Sequence, residues 1–530
     1  MRLISPLLAL ALAALVLAPA SPAAAEGPLT DKQAQDVRDF VRGALDELGV
    51  PGAAVVVVDP GGIVFAEGFG SARDDGTPVT PQTPFHVASL SKQLTSIAVM
   101  QLIASGDLSL DATIHSYVEW FGAPGSDTAK ITVRDLLAHT SGWSGEQGLT
   151  NRIDESNTDR TIEENVRRLA AEPLKHPIGQ FEYSNANFDA LGYLVAVVSG
   201  VSYEEYMTEH VLEPLQMTHS HLSDTEARAD GLAQGHYRFF GIPIAYDIPF
   251  VRGSLPSSFI AASAEDLGHV LIAHLNDGIY EGEEVLDASS MAALRQPLTY
   301  PDPWNGYGWG WWSYPFWDAG ELKVGAEGPS YDVPVILEHT GGHATYASAM
   351  LLLADEGIGV VVLMNLQDDF ASSRFYQLHK GVAMILLGRD APALVSYDDP
   401  LGQYARFIGV AWVLVVAALV AWSVRRYRRW RRDPGSTPRG RRAVVRRMVL
   451  PLLVDAALLA GFWLLLSTHG EISGPAVARL LRLSPDVGLI VALVTTIALG
   501  WAVIGTIWTV RLLRRGATGT ASVRTSPSAP

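Results

Sequence analysis

The distribution of apolar residues divides the chain into a body of short apolar runs and a C-terminal region of long ones. Within the body, Gly52–Val58 and Ile63–Phe69 are rich in β-branched and aromatic residues, and the Asp-Pro-Gly-Gly sequence between them predicts a β-hairpin. The stretch Ser96–Ile103 is almost uncharged and predicts a buried helix. Further patterns predict mainly helices over 166–300, and then three strands and a helix at Val333–Glu338, Tyr346–Leu353, Ile358–Met364 and Ser373–Leu387.

Three long apolar stretches near the C-terminus predict membrane-spanning helices. Phe407–Val424 has 18 residues, Met448–Leu466 has 19 and Val487–Val510 has 24, and about 20 apolar residues suffice to cross a bilayer. The segment between the first two stretches carries 11 Arg, whereas the loop after the second carries two. Because cytoplasmic loops are rich in Lys and Arg, this pattern places residues 26–404 outside the cytoplasm.

The first 25 residues have the features of a secretory signal peptide. Arg2 precedes the apolar run Leu7–Leu17, and Ala23-Ala24-Ala25 offers small residues for cleavage. An uncleaved anchor helix is the alternative, and both interpretations export the body.

We therefore expect a multi-pass protein of the cytoplasmic membrane with an extracytoplasmic body. The predicted segments are a signal peptide (1–25), the body (26–390), a linker (391–406), the spans 407–424, 448–466 and 487–510, a cytoplasmic Arg-rich loop (425–447), an extracytoplasmic loop (467–486) and a cytoplasmic tail (511–530).

Charge and cysteine content narrow the chemistry. The chain contains no Cys, which excludes disulfides, thiolate nucleophiles and Cys-ligated zinc. Residues 26–400 carry 20 basic and 52 acidic side chains, whereas the remainder from Leu401 carries 18 Arg and four acidic residues. An acidic body argues against nucleic-acid binding, and a basic C-terminal region fits a membrane anchor. Asp455 lies inside the second predicted span, where pairing with another helix is favoured over a functional role.

Ser89 and Lys92 form a Ser-x-x-Lys motif at the start of the predicted buried helix. Residues three apart on a helix share a face, so the two side chains can meet. A serine hydroxyl needs a neighbouring base to become a nucleophile, and a buried lysine can be that base. The motif alone is weak, because an ordinary capping serine beside a solvated lysine has the same pattern. Among the six Lys, however, only Lys92 has a Ser three residues before it.

Two later motifs supply complementary groups. Tyr183 and Asn185 lie on a predicted turn before an apolar helix, where a phenol can relay a proton and an amide can hold a substrate carbonyl. The sequence His339-Thr340-Gly341-Gly342 ends a predicted strand. Its glycines allow a substrate backbone to approach, and the N–H of Gly342 can join that of Ser89 in an oxyanion hole.

In this order and at these separations, the motifs resemble those of the serine β-lactamase and penicillin-binding-protein superfamily. The similarity is greatest to its class C, esterase and D-aminopeptidase branch and covers about residues 30–390. It implies an α/β (α+β) fold, with an antiparallel sheet built from the N- and C-terminal parts, flanking helices and an inserted helical region. Supporting stretches are Leu136–Gly142, Gly308–Trp311 and Glu213–Met217.

The resemblance also implies a role for each motif residue. Ser89 would be the nucleophile, Lys92 its base, and Tyr183 the group that protonates the leaving group and activates the deacylating water. No cofactor or metal is expected. The residues expected to contact substrate or to form the oxyanion hole are Asn185, His339 and Gly342.

His339 departs from the class C pattern, which has a lysine at this position. A fixed cation there normally meets the β-lactam carboxylate, whereas histidine is charged for only part of the time near neutral pH. Antibiotic hydrolysis is therefore disfavoured as the main role. The signal peptide and three spans resemble membrane-bound prodrug-activating peptidases such as the colibactin-maturing enzyme. We expect a peptidase, amidase or esterase that acts through a Ser89 acyl-enzyme, with N-acyl-D-amino-acid compounds as candidate substrates.

Two other functions remain open at this stage. A penicillin- or peptidoglycan-binding sensor with little turnover would use the same fold, although a pure binder has no need of the base Lys92. A metal enzyme would need a ligand cluster, and His219/His221 and His339/His343 offer only local pairs. The Gly- and Trp-rich stretch Pro301–Trp317 is interpreted as core rather than as a pocket wall. His139 is interpreted as a structural residue near the pocket.

Overall fold

The structure is a computed structural model that describes residues 29–150, 157–319, 321–325, 328–368, 372–396, 404–433 and 485–519, with a few residues between 450 and 461. The chain groups into two compact units. The first lies within residues 1–236, 249–367 and 374–395, and the second within 237–248, 368–373 and 396–530. The predicted signal peptide and most of the second predicted span lie outside the described residues.

The strands lie at both ends of the first unit's sequence, with further short strands between them. A main antiparallel sheet has the order β2-β1-β15-β14-β13-β10-β9. The strands are β1 (Gly52–Asp59), β2 (Gly62–Gly70), β3 (Phe85–His86), β4 (His236–Phe239), β5 (Ile242–Ala245), β6 (Ala261–Ala262), β7 (Ile279–Tyr280), β8 (Glu283–Glu284), β9 (Gly306–Gly308), β10 (Trp311–Pro315), β11 (Glu321–Gly325), β12 (Gly328–Asp332), β13 (Val335–His343), β14 (Tyr346–Leu353), β15 (Ile358–Met364) and β16 (Leu366–Gln367).

Helices cover both faces of the main sheet and fill the region inserted between its two halves. The helices are α1 (Asp31–Leu48), α2 (Ser91–Ala104), α3 (Ile114–Tyr117), α4 (Val133–Leu137), α5 (Gly145–Thr150), α6 (Thr161–Ala171), α7 (Asn185–Ser199), α8 (Tyr203–Met207), α9 (Asp224–Ala229), α10 (Ala264–Leu275), α11 (Ala288–Leu294), α12 (Ser372–Phe375), α13 (Leu378–Leu386), α14 (Ala405–Arg432) and α15 (Pro485–Gly519).

Strand β1 shows why the centre of the sheet has a continuous apolar sequence. Successive side chains of a strand point to opposite faces, so a run without polar residues is buried on both. Ala53, Val55 and Val57 belong to a core with residues of α1 and α13, while Val56 and Val58 belong to a second core that includes α2 and α10. The N-terminal strand β1 pairs directly with the C-terminal strand β15. The predicted sheet and inserted helical region are thus confirmed.

Local sequence signals fix several element boundaries. Thr30 and Gln33 form a capping box at the start of α1, and Gly49 ends that helix in the left-handed conformation with φ 62°. Ser263 caps α10 by accepting a hydrogen bond from the backbone N–H of Asp266. The predicted hairpin joins β1 to β2.

The region 166–300 is less helical than predicted, because it also contains the β4–β5 hairpin and the short strands β6, β7 and β8.

Strand register leaves one backbone edge of β13 accessible to the site. The ladder with β10 runs from Val335 to Glu338, whereas the ladder with β14 continues to His343. Among the described strands, β10 therefore covers the first part of β13 and not the stretch His339–His343. That stretch lies beside the turn that carries Ser89, where an added Cβ at Gly341 would lie 2.4 Å from the carbonyl oxygen of Val87. Glycine is required there for the strand and the turn to approach each other.

The described residues of the second unit contain two helices that are long and apolar enough to cross a membrane. They extend over Arg406–Arg432 and Pro485–Trp508, with mean hydropathies of 2.5 and 2.4 in their most apolar windows. The first predicted span falls within the first helix, and the third falls within the second helix except for its last two residues. The two helices run side by side in the same direction, because Arg406 is ion-paired with Asp486 at one end and Tyr427 stacks on Trp508 toward the other. The described residues thus hold two candidate spans, and the second predicted span, Met448–Leu466, lies mostly outside them.

Burial of His274 generates a prediction about stability. This side chain of α10 is 1% exposed, lies against Trp311 and has no hydrogen-bond partner among the described residues. Burial, with a smaller effect of Arg295, lowers its pKa to about 3. As the pH falls below about 6.5, the unfolded chain binds the proton first, so this histidine costs the folded state about 1.4 kcal/mol per pH unit until about pH 3.

We expect His274→Leu to raise the thermal unfolding midpoint more at pH 5 than at pH 8. The apolar side chain removes the protonation penalty and leaves no buried polar atom unsatisfied. His210→Leu, which removes an imidazole at an exposed position, is the matched control. Equal gains for His274→Leu at both pH values would contradict the assignment.

Candidate active site

Ser89 lies in a tight turn that its neighbours hold in a strained conformation. The turn Ala88–Leu90 directly precedes α2, and Ala88 has a φ of 49°, which is unfavourable for a residue with a Cβ. The hydroxyl of Ser348 donates to the carbonyl of Val87 at 2.7 Å, and that of Ser91 donates to the carbonyl of Ala88 at 2.8 Å. These bonds fix the backbone from which the Ser89 side chain projects.

The Ser89 hydroxyl lies between a lysine and a tyrosine. Its Oγ accepts hydrogen bonds from Lys92 Nζ at 3.1 Å and from Tyr183 OH at 3.0 Å. The Lys92 ammonium also lies 5.1 Å from the centre of the Tyr183 ring. Two groups that can exchange a proton are therefore within hydrogen-bond reach of the Ser89 hydroxyl, which is the geometry required of a nucleophile with its acid and base.

Lys92 is fully buried and surrounded by oxygen atoms. Besides Ser89 Oγ, Nζ donates to Asn185 Oδ1 at 2.8 Å and to the carbonyl of Ser257 at 2.7 Å. Burial disfavours the charged form of an amine, while these oxygens stabilise its N–H groups. A neutral amine can keep two N–H donors on Asn185 and Ser257 and direct its lone pair at the serine hydroxyl. Asn185 thus orients the lysine in this structure, in addition to its expected role toward substrate.

A second set of polar side chains lies behind Tyr183. His139 Nδ1 accepts from the Asn187 amide at 2.7 Å and from the Ser184 N–H at 3.3 Å. Its Nε2 must then carry the proton, which it donates to Tyr307 OH at 3.1 Å. The hydroxyl of Tyr307 is 3.5 Å from His339 Nε2. The His339 Nδ1–H donates to the carbonyl of the next residue, Thr340, at 2.8 Å. The hydrogen bonds therefore run in one direction from His139 to His339.

The two histidines of this hydrogen-bonded series, His139 and His339, are neutral. Burial, followed by the charge of Lys92, lowers the pKa of His339 to about 3. The same two causes, joined by a smaller effect of His339, hold the pKa of His139 well below its ordinary value. Tyr307 remains a neutral phenol, because burial raises its pKa well above 10. The site thus presents no cation at His339, where class C enzymes have a lysine.

The structure brings most of the predicted site residues together. Ser89, Lys92, Tyr183 and Asn185 are directly connected by hydrogen bonds, and the His339 ring centre lies 6.0 Å from that of Tyr183. Gly342 lies on the accessible part of β13, and its role as an oxyanion donor stays a prediction. An added Cβ at Gly342 would lie 2.7 Å from the hydroxyl of Tyr376, so a side chain would crowd this edge.

Two contributors to the site were not predicted. Tyr307, from the stretch interpreted as core, joins His139 to His339, so this stretch supplies a wall of the site as well as core. Ser257 contributes only a backbone carbonyl, which has no signature in a sequence. The prediction that His139 is a structural residue near the pocket agrees with its position. The described residues contain no group of three or more His, Cys, Asp or Glu side chains that could hold a metal ion.

The Glu338 side chain forms a separate cluster on the same strand as His339. It accepts hydrogen bonds from His379 at 2.8 Å and from Tyr314, and it is ion-paired with Lys380 at 3.1 Å. Although burial opposes ionisation, these partners lower the pKa of Glu338 to about 2. This buried carboxylate therefore fixes β13 immediately before the stretch that faces Ser89.

Solved structures share the fold of this chain. A penicillin-binding protein homologue from Pyrococcus abyssi covers 69% of the chain and 79% of its own, with a TM-score of 0.56 and 24% identity. D-alanine carboxypeptidase AmpC from Burkholderia cenocepacia covers 68% and 99%, with a TM-score of 0.54 and 20% identity. These likenesses show that the chain has the fold of class C β-lactamases and penicillin-binding proteins.

The family follows from the sequence comparison. The family model described as Beta-lactamase matches residues 37–383, so the chain belongs to the beta-lactamase family, whose members are generally serine hydrolases. Protein flp from Staphylococcus aureus strain MW2 is 26% identical over 438 residues, which is 81% of this chain and 82% of that protein. The resemblance inferred from the motifs is confirmed.

The contact between Asn185 and Lys92 can be tested by changing its charge. We expect Asn185→Asp to shift the acid limb of the pH–rate profile for phosphonylation of Ser89 to higher pH, because a carboxylate beside Lys92 opposes loss of the lysine proton. The rate of labelling by a fluorophosphonate, measured by intact mass, gives this profile. Asn276→Asp, far from Lys92, is the matched control. Superimposable profiles for Asn185→Asp and the original chain would contradict this role.

Proposed function

We propose that the chain is a membrane-anchored, extracytoplasmic serine hydrolase that acts through a Ser89 acyl-enzyme. The observation that carries the proposal is the position of the Ser89 hydroxyl, within 3.1 Å of both Lys92 Nζ and Tyr183 OH. A binding protein does not require a buried base beside its serine. The intact set of proton-transfer groups therefore favours turnover over a sensor role.

The proposed reaction begins when neutral Lys92 accepts the Ser89 proton. The serine oxygen attacks the substrate carbonyl, and the oxyanion is stabilised by the N–H groups of Ser89 and Gly342. Tyr183 passes a proton to the leaving amine or alcohol, which departs as the carbonyl re-forms on Ser89. A water molecule then attacks the ester, with Tyr183 accepting its proton. As the acid product leaves, protonated Lys92 returns a proton to the Ser89 oxygen, which restores the starting state.

The accessible edge of β13 supports a peptide-like substrate. The hydrogen-bonded ladder between β10 and β13 ends at Glu338. The backbone of His339–His343 can therefore pair with an extended acyl chain. Asn185 can hold the amide of that chain at its other side. This arrangement aligns the scissile carbonyl between Ser89 and the strand, as an acyl-transfer site requires.

Neutral His339 supports a substrate without a carboxylate at this position. A buried, uncharged imidazole offers no compensation for desolvating an anion. Amides, esters and N-acyl-D-amino-acid derivatives with an uncharged group beside His339 fit the site better than penicillins or peptides with a free C-terminus.

The two parallel helices support the membrane topology. Helices α14 and α15 run in the same direction, so if both cross the bilayer, the chain between them must cross back. The predicted span Met448–Leu466 lies in that connection, and the Arg-rich segment after α14 favours a cytoplasmic position for its first part. Three spans with an external body are consistent with this geometry.

Ser89 should be the only site of covalent labelling by a fluorophosphonate. We expect the full chain in detergent to gain one fluorophosphonate adduct by intact mass, and Ser89→Ala to gain none. Lys92→Met and Tyr183→Phe should each slow labelling by about 10²–10⁴-fold, because each removes an acid or base. Ser96→Ala, a buried serine of the same helix, is the matched control and should label normally.

Adduct formation in Ser89→Ala would contradict the proposed nucleophile. Rapid fluorophosphonate labelling of the original chain with little stable penicillin adduct would support a hydrolase. A long-lived penicillin adduct without turnover of any amide or ester would instead favour the sensor role.

The charge of the leaving group should determine substrate preference. We expect an N-acyl-D-alanyl-D-alanine methyl ester to have a kcat/KM at least about tenfold above that of the free acid, a difference of about 1.4 kcal/mol in transition-state stabilisation. His339→Lys should narrow this ratio by supplying a cation. Preference of the original chain for the free acid would contradict the inferred neutrality of His339.

A further inference from the structure

The hairpin formed by β4 and β5 exposes an uncharged apolar surface. Residues 239–246 read Phe-Phe-Gly-Ile-Pro-Ile-Ala-Tyr and contain no charge. Ile242 is 66% exposed and Ile244 39%. The tip turns tightly, since Phe240 and Gly241 both have positive φ, 48° and 89°. A cluster of large exposed apolar side chains on such a projection marks a surface that contacts something other than water.

Specific bonds hold this hairpin at one end of the two apolar helices. The backbone N–H of Phe240 donates to Asp486 Oδ2 at 3.1 Å, and the hydroxyl of Tyr237 also donates to Asp486. Asp486 lies in the first turn of α15 and forms an ion pair of 2.9 Å with Arg406 at the start of α14. The hairpin tip and the first turns of both helices therefore lie at the same level.

The position of the Arg406–Asp486 ion pair sets the depth at which the hairpin lies along the two helices. Asp486 is completely buried and Arg406 is 4% exposed, and the apolar sequence of each helix begins at the following residue. Ile242 is two residues from Phe240, so its Cα lies within about 7 Å of that residue. If the helices cross a bilayer, the hairpin lies where the polar headgroups meet the hydrocarbon, the region that aromatic residues and apolar loops favour.

We propose that the β4–β5 hairpin inserts its apolar tip into the outer interface of the lipid bilayer and provides a membrane contact in addition to the spans. The proposal rests on the membrane anchoring included in the proposed function. The lipid surface is the occupant favoured by the structure, because the hairpin is bonded directly to the outer ends of helices whose own exposed surfaces are apolar. Tyr404 and Phe407, 58% and 57% exposed, continue the same apolar level on α14.

The absence of Cys from the chain allows a direct test with single-cysteine variants of the full-length protein. Ile242→Cys and Ile244→Cys would each be labelled with an environment-sensitive fluorophore in nanodiscs of phosphatidylcholine and phosphatidylglycerol. Ile279→Cys is the matched control, because Ile279 is 46% exposed in another two-stranded hairpin, β7–β8, which carries acidic residues. Fluorophosphonate labelling of Ser89 would establish that each variant is folded.

We expect both hairpin probes to be quenched by nitroxide lipids labelled near the headgroup and to be several-fold less quenched by aqueous iodide than the control. Iodide quenching equal to that of the control, in protein that stays in the nanodisc, would overturn the hairpin proposal alone. Loss of the protein from the nanodisc would instead overturn the anchoring, and absence of Ser89 labelling in the original chain would count against the hydrolase.

A second measurement needs no substitution. The unmodified chain would be irradiated in nanodiscs that contain a phospholipid with a photoreactive group near the headgroup. We expect lipid adducts on the peptide that contains residues 239–246 and none on the peptide that contains β7 and β8. Adducts confined to the helices, with none on the hairpin, would overturn the proposal even if the cysteine variants failed to fold.

Discussion

The burial of the Lys92 amine is the constraint on which the rest of the site depends. A lysine without access to water is tolerated only where oxygen atoms replace its hydration, and here the side chain of Asn185 and the carbonyl of Ser257 do so. The same two contacts direct Nζ toward Ser89. Burial disfavours the charged amine while the oxygens hold its orientation, so one arrangement both preserves the fold and prepares a base.

The architecture brings distant segments to this lysine. Ser89 and Lys92 come from the turn and helix that follow the first two strands, Tyr183 and Asn185 from the inserted region, and His339 from a strand near the end of the body. Each segment is held by bonds that do not involve catalysis, such as that from Ser348 to the turn and the Glu338 cluster on β13. The hydrogen-bonded series from His139 through Tyr307 to His339 is neutral, so no positive charge is present at His339, where the substrate is expected to bind.

The sequence predicts elements whose signals are local and misses those that depend on three-dimensional contacts. The β1–β2 hairpin, the cap at Ser263 and the motif residues were predictable because turn chemistry and spacing are encoded in a few adjacent residues. The role of Ser257 was not, since it uses a backbone carbonyl, and that of Tyr307 was hidden in a Trp-rich stretch that also forms core. The β4–β5 hairpin was missed because its strands are short and β5 contains Pro243, which sequence patterns associate with loops.

The most direct test of this account is the protonation state of Lys92 in the folded protein. Only six lysines are present, so NMR of lysine-labelled full-length protein, compared with Lys92→Arg, can assign its side-chain resonance. We predict that this amine is uncharged over the pH range in which a fluorophosphonate phosphonylates Ser89 rapidly. A Lys92 resonance that remains that of an ammonium throughout this range, with Ser89 fully reactive, would contradict the assignment of Lys92 as the base.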